Sequence, residues 1–309
     1  MFSLVFPGQG SQKIGMVKEF YEKYDLAKRI FKDADAILDM PITKIIFEGP
    51  EDKLNLTENT QPAIFLASYC IFEIIKKEFG YDFKKFKYFA GHSLGEYSAL
   101  ACVGSVSFAD TLKILQKRGK FMQEAVPSGE GAMLAVIGKS AKELDKILYE
   151  NTKKYKCYIA NDNSNLQVVV SGLKKDINLL SDDLNIKKIK NLKLNVSAPF
   201  HCKYMKPASE KMASYINDLK INEISKPIIS NVTAKETNSS KEIKLLLISQ
   251  IEKKVRWLES VEYMINNGVK NFVEIGPGKV LSGLIKRINK SVNVSSINTE
   301  EDIKLLLND

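Results

Sequence analysis

The segment KYFAGHSLGEYSALACVG, residues 87–104, constrains this chain more than any other. Tyr88 to Ala90 read as a short buried strand, Gly91 to Gly95 as a sharp turn, and the small residues that follow as a helix packed on that strand. Glycine on both sides lets the strand reverse into the helix at close quarters. The turn lifts Ser93 Oγ out of the sheet edge and aims the following N–H groups at whatever the serine attacks. A serine at this place also suits a plain helix cap.

A strand feeding directly into a helix belongs to a parallel sheet, and the flanking sequence repeats the alternation. FSLVF (2–6) ends in PGQG, and a helix around 25–38 puts Leu26, Ile30, Ala34 and Ile37 on one face. A second helix starts near Thr60 with Pro62 in its first turn, where a missing N–H costs nothing, and runs to about Phe79. An amphipathic helix covers 107–126. Toward the C-terminus come helices at 206–219, 241–252 and 256–267, the strand NFVEIGPG, a helix at 279–289 and the strand VNVSSI. Between these halves AMLAVIG, AKELDKILYEN, CYIAN, LQVVVSG, DINLLSDDL and KIKNLKLN give the order β-α-β-β-α-β of a ferredoxin-like unit. The expected architecture is an α/β fold: a hydrolase-like parallel-sheet core built from residues 1–127 and 198–309, with a ferredoxin-like small domain inserted at 128–197. A chain of 309 residues suits one large domain carrying an insert.

Composition excludes several classes. With 44% hydrophobic and 27% charged residues the chain has enough apolar material for a core, unlike a disordered or collagen-like protein. The longest apolar stretch, AIFLASYCIF at 63–72, is far shorter than the roughly 18 residues a membrane span needs. MFSLVFPGQG lacks a basic n-region and reads as a strand and turn rather than a signal peptide, so a cytoplasmic location is expected. Cys70, Cys102, Cys157 and Cys202 are too scattered for zinc or a disulfide framework. The charge of +9 includes lysine-rich spots at 84–87 and 187–190, without the interleaved aromatics of a nucleic-acid platform. Ordinary solvated surface, an acidic protein partner or an anionic substrate fits it better.

A nucleophilic serine needs a base, and this chain has two histidines. His92 adjoins the serine with its side chain diverging, which suits a structural or pocket residue. That leaves His201, in SAPFHCKYM, where the inserted unit returns to the main domain beside a cleft. More than a hundred residues follow His201, and no acid is marked as a third member, unlike the Ser, acid, His order of common α/β esterases. A backbone carbonyl or an amide side chain can orient the imidazole instead, by accepting from Nδ1–H.

FPGQGSQ (6–12), NTQPA (59–63), GHSLGEYSAL (91–100), RGKFMQEAVPSGEGAM (118–133), APFHCKYM (198–205) and EIGPGKVLSGL (274–284) closely resemble, in order and over essentially the whole chain, the malonyl-CoA:acyl carrier protein transacylases. The resemblance implies an acyl-enzyme on Ser93 with His201 as base. It implies an oxyanion hole from the N–H groups of Leu94 and Gln9, Arg118 as holder of the malonyl carboxylate, and main chain at Gln250 orienting His201. It puts Asn161 and Asn163 near the pocket, and Phe200 before the histidine as in malonyl-selecting variants. It implies malonyl-CoA and acyl carrier protein as partners, ping-pong transfer, and no metal or redox cofactor. Several of these residues have plainer readings. Arg118 suits a solvated charge on a lysine-rich helix, Gln9 a simple chain reversal, and Gln250 an ordinary surface position before KKVRW. The GPGKVL turn suits either the cleft or packing against the nucleophile helix. Two rival functions share these features: a serine thioesterase or esterase, in which Arg118 has no evident task, and a non-catalytic carrier-docking module, which has no need of Ser93 and His201.

Overall fold

The computed structural model describes residues 1–196 and 198–307. Ser197, at the expected boundary of the insert, and the terminal Asn308 and Asp309 lie outside the described residues. Among the described residues ten strands form two sheets: β1 (Phe2–Phe6), β2 (Phe86–Gly91), β3 (Gly131–Ile137), β4 (Cys157–Ser164), β5 (Gln167–Leu173), β6 (Asn191–Lys193), β7 (Ile228–Ile229), β8 (Glu236–Thr237), β9 (Asn271–Ile275) and β10 (Asn293–Ile297).

The main sheet has the order β10-β9-β1-β2-β7-β8 and is parallel except for the β7–β8 edge pair. Its central strands β1 and β2 are almost fully buried, as expected of a parallel sheet covered by helices on both faces. Phe6 pairs with Gly91 at their carboxyl ends, so the loops after β1 and β2 emerge side by side. Those loops carry Gln9 and Ser93. The carboxyl edge of an open parallel sheet is where such folds gather reactive groups.

The second sheet is antiparallel, in the order β4-β5-β3-β6, with helices Ala141–Glu150 and Lys174–Ile186 connecting its strands. Alternation along β3 divides its side chains between two cores. Leu134 and Val136 pack with Leu144, Leu180 and Leu184 of those helices, whereas Met133 and Ala135 join the large core of the main sheet. At the sheet edge, Val255 N–H donates to the Ala160 carbonyl (2.8 Å) and Asp162 N–H to the Val255 carbonyl (2.9 Å), fastening β4 to the other half of the chain.

The helix expected from Thr60 begins at Thr57 and runs to Lys77, so Pro62 lies inside it instead of in its first turn. The Leu56 carbonyl accepts both the Asn59 and Thr60 N–H groups (2.8 Å each) and thereby starts the helix early. Its first turn is also pressed against helix Phe108–Glu124, where a Cβ on Gly119 would stand 2.4 Å from the Thr57 carbonyl oxygen. Tertiary packing here overrides the local signal of the proline. Short helices at Lys18–Lys23, Ile42–Glu48, Glu51–Asn55 and Glu300–Leu307 add to those read from the sequence.

Gly119→Ala gains at most about 1 kcal/mol in helix propensity. It must also push two backbones apart, an overpacking that typically costs about 1 to 3 kcal/mol. The expected net result is a lower urea midpoint for Gly119→Ala than for the wild type.

Candidate active site

The turn after β2 is closed by backbone contact. A Cβ on Gly91 would stand 1.9 Å from the carbonyl carbon of Gly95, and one on Gly95 would stand 2.2 Å from the Phe6 carbonyl oxygen. Ser93 between them has φ 54°, left-handed backbone that a non-glycine residue rarely adopts. Asn231 straps the turn, accepting from Ser93 N–H (2.7 Å) and donating to the Gly91 carbonyl (2.7 Å). The Ser93 carbonyl accepts in turn from Gln250 Nε2 (3.0 Å). These bonds hold a conformation that costs of order 1 to 3 kcal/mol when unsupported.

His201 comes from the loop after β6, itself left-handed at φ 57°. The segment is pinned to the small sheet by Ser171 Oγ donating to the Phe200 carbonyl (2.6 Å). His201 Nε2 lies 2.8 Å from Ser93 Oγ, and Nδ1 lies 2.8 Å from the Gln250 main-chain oxygen. A carbonyl only accepts, so Nδ1 carries the proton and Nε2 presents its lone pair to the serine hydroxyl. The third member left open by the sequence is thus a backbone oxygen. Burial, reinforced by the Arg118 charge, lowers the imidazole pKa to about 3 and keeps the ring neutral.

Arg118 is 1% exposed, which removes the solvated-charge reading. Its Nη1 donates to Gln61 Oε1 (2.7 Å), and its Nη2 to Gln250 Oε1 (2.9 Å) and Ser93 Oγ (3.2 Å). Its Nε has no partner, and the guanidinium lies 5.5 Å from the Tyr97 ring centre. These hydrogen bonds all go to uncharged groups, and among the described residues no carboxylate pairs with this buried cation. Gln250 is fully buried, which likewise removes its surface reading.

Gln9, Ser93, Leu94, Arg118, Asn161, Phe200 and His201 line one cavity of about 370 Å³, with His92, Gln61, Met122 and Met133. Neither the Gln9 N–H nor the Leu94 N–H donates to a protein acceptor among the described residues. Asn161 Oδ1 is buried and without a partner. His92 turns away from the serine and pairs through Nε2 with Asn163 Oδ1 (2.8 Å). Gln250 sits behind the cavity wall. The GPGKVL turn does not line the cavity, and its first glycine is tight against other elements: a Cβ on Gly276 would meet Ser68 Oγ (2.4 Å) and Pro7 Cγ (2.7 Å). Asn231 and Glu96 escaped the sequence reading. Glu96 stands within the GHSLGE motif, but nothing local marks Asn231, which meets Ser93 from 138 positions away. Among the described residues no cluster of three or more His, Cys, Asp or Glu side chains is placed to hold a metal, and no helix is long and apolar enough to cross a membrane.

The fold agrees with the comparisons. The family described as "Acyl transferase domain" matches residues 3–303. The malonyl CoA-acyl carrier protein transacylase of Bacillus subtilis is 42% identical over 308 residues, covering 99% of this chain and 96% of that protein. Its counterpart from Escherichia coli K12 is 39% identical over 298 residues, 96% of each chain. The crystal structure of an acyl-carrier-protein-S-malonyltransferase from Bartonella henselae superposes with a TM-score of 0.96 at 39% identity, covering 99% of this chain and 98% of that one. A malonyl-transacylase solved in complex with its type II PKS acyl-carrier protein gives 0.95 at 37% identity, covering 100% and 99%. The chain belongs to the acyl transferase family, among the malonyl CoA-acyl carrier protein transacylases.

The neutral imidazole has a stability consequence. Its folded pKa of about 3 lies below the ordinary 6.5, so between these values the unfolded chain binds a proton that the folded chain does not. Stability from this group is therefore full above pH 6.5 and falls as the pH drops, by about 2 kcal/mol between pH 7 and pH 5. Urea titrations at the two pH values should show a smaller loss for His201→Gln than for the wild type.

Proposed function

We propose that this acyltransferase moves the malonyl group of malonyl-CoA to the phosphopantetheine thiol of acyl carrier protein, supplying malonyl carrier protein for fatty acid synthesis. The observation that carries the reading is the Arg118 guanidinium: buried, paired with no carboxylate among the described residues, and 3.2 Å from Ser93 Oγ in the same cavity. A malonyl thioester differs from an acetyl thioester by one carboxylate, a single methylene from the reacting carbonyl. That carboxylate must leave water on entering the cavity, and a fixed cation with a planar fork compensates its desolvation.

In the proposed first half-reaction Ser93 Oγ attacks the thioester carbon while its proton passes to His201 Nε2. The Gln9 and Leu94 N–H groups, without protein acceptors, take the developing oxyanion. The Gln250 main-chain oxygen holds the imidazole in the required tautomer and faces the Nδ1–H of the imidazolium. Collapse breaks the carbon–sulfur bond, and CoA leaves with the proton from His201. In the second half-reaction the carrier thiol gives its proton to His201 and attacks the ester. Ser93 Oγ departs as a hydroxyl. Phe200 and Asn161 line the same cavity, the ring filling space next to the base and the amide offering a free acceptor to the donor substrate.

The reading includes the division into a catalytic part, 1–127 with 198–309, and an inserted ferredoxin-like domain at 128–197. The strand order and separate core of the small sheet support it. It also includes a cytoplasmic location, since both partners are water-borne. A thioesterase would employ the same serine and histidine, but a buried cation beside the acyl group favours retention of a charged acyl chain over its release to water.

Mass spectrometry of the intact protein mixed with malonyl-CoA and acetyl-CoA is expected to show one malonyl adduct, on the peptide containing Ser93, and none in Ser93→Ala. An adduct on a cysteine, or acetyl and malonyl adducts in equal amount, overturns the assignment.

For Arg118, a charge-assisted pair of about 1.5 to 3 kcal/mol corresponds to roughly 10- to 150-fold in specificity. Arg118→Ala should lower the malonyl-to-acetyl ratio of kcat/KM by that order. Arg118→Lys should restore little, because an ammonium lacks the fork. An unchanged ratio in both variants places substrate selection elsewhere.

A further inference from the structure

Glu96 is a buried carboxylate that the reaction as described does not use. It lies in the first turn of helix Gly95–Cys102, is 2% exposed, and touches neither the cavity nor Ser93 Oγ. One of its oxygens accepts twice, from Asn231 N–H (3.0 Å) and from Gln250 Nε2 (2.7 Å). The same Gln250 amide donates to the Ser93 carbonyl and accepts, through Oε1, from Arg118 Nη2. Glu96 and Arg118 therefore stand on opposite sides of one amide.

That placement allows a single orientation of the amide. Turned over, the NH₂ of Gln250 would face the guanidinium donors and its carbonyl would face the carboxylate, two repulsions in place of two charge-assisted hydrogen bonds. The main-chain oxygen of Gln250 is the acceptor for His201 Nδ1–H. We propose that Glu96 is a positioning residue for acyl transfer. Its carboxylate orients Gln250, and through it both the specificity arginine and the histidine base, while balancing the buried charge of Arg118. The roles given to Arg118 and His201 are those of the proposed function, on which this inference rests.

The charge matters more when His201 becomes imidazolium, because a second cation then forms close to Arg118 with Glu96 as the nearby buried anion. Burial pushes the Glu96 carboxyl up to about 7, against the opposing pull of its two hydrogen bonds and of Arg118. The groups facing it are Arg118 from helix Phe108–Glu124, Tyr97 from its own helix, and the neutral donors of Asn231 and Gln250. With Glu96 ionised the balance holds; as the pH falls through about 7 the carboxyl takes up a proton and the balance is lost. His201, near 3, stays neutral throughout that interval.

The test measures the rate of Ser93 labelling by a fluorophosphonate, which carries no acyl specificity, from pH 5.5 to 8.5 in the wild type and in Glu96→Gln. An amide oxygen in Glu96→Gln can still accept both hydrogen bonds, so the variant removes charge with little change of shape. Expected are a wild-type rate that rises through about pH 7 and a Glu96→Gln rate lower by about 10-fold at pH 8 and nearly flat with pH. With malonyl-CoA, kcat should fall in Glu96→Gln while KM does not rise. A flat wild-type profile overturns the inference, as does a Glu96→Gln profile of unchanged shape, whatever the variant's stability. Failure of malonyl-CoA to acylate either protein, with the labelling pattern as expected, overturns the malonyl reading alone; malonyl adducts with the wrong labelling pattern overturn the inference alone.

Discussion

The side chain and carbonyl of Gln250 join groups brought together from three distant parts of the chain. Its amide reaches Arg118, Glu96 and the Ser93 carbonyl, and its main-chain oxygen faces His201. The residue ends helix Ser240–Gln250 and is fully buried, so each of these polar atoms must find a partner in the protein. An amide suits this place because it both donates and accepts. Arg118 needs an acceptor, and Glu96 and the Ser93 carbonyl need donors. A carboxylate at this position would satisfy Arg118 and offer nothing to Glu96, and would pair the guanidinium that the proposed function leaves for a substrate carboxylate.

The proposed nucleophile and base share a backbone feature. Ser93 and His201 both lie at positive φ, and neither is glycine. Each sits where the chain leaves one element and must turn before the next: β2 into helix Gly95–Cys102, and the end of the small sheet into helix Lys206–Asp218. Such strain persists only where the surroundings over-determine it. At Ser93 those surroundings are Asn231, Gln250 and the two glycines that close the turn. At His201 they are the Phe200 carbonyl held by Ser171 and the ring nitrogen held by Gln250.

Much of this was legible in local sequence. The elbow, the alternation of strands and helices and the β-α-β-β-α-β stretch each leave a signal within a window of a few residues, and a count of histidines points to His201. What stayed hidden depends on contacts between distant positions. Nothing near Asn231 shows that its side chain will cap a turn at Ser93, and two-residue strands such as β7 and β8 are too short for periodicity to register. The helix starts at Thr57, three residues before the expected Thr60, because Pro62 marks a start only when nothing else fixes one. For Arg118 and Gln250 the sequence left a surface alternative open for a related reason: their helices are amphipathic, and local spacing does not tell a polar residue facing solvent from one facing a polar cavity.

In the proposed mechanism the base lies on the segment that returns from the small sheet, which sets up two opposed demands. The acyl-enzyme must be kept from water, yet the cavity must admit two large thiol carriers in turn. β3 contributes Met133 to the cavity wall while its alternate residues anchor the strand in a core of their own, so the wall on that side belongs to a rigid sheet rather than a free loop. Leu194, Asn195 and Val196, leading toward His201, line the same cavity. Any shift of the small sheet relative to the main one would therefore change the width of the opening and the approach of His201 to Ser93 together. The Ala160–Val255–Asp162 hydrogen bonds oppose such a shift at the far edge. The Ser–His distance of 2.8 Å and a cavity bounded by both sheets thus depend in part on this attachment.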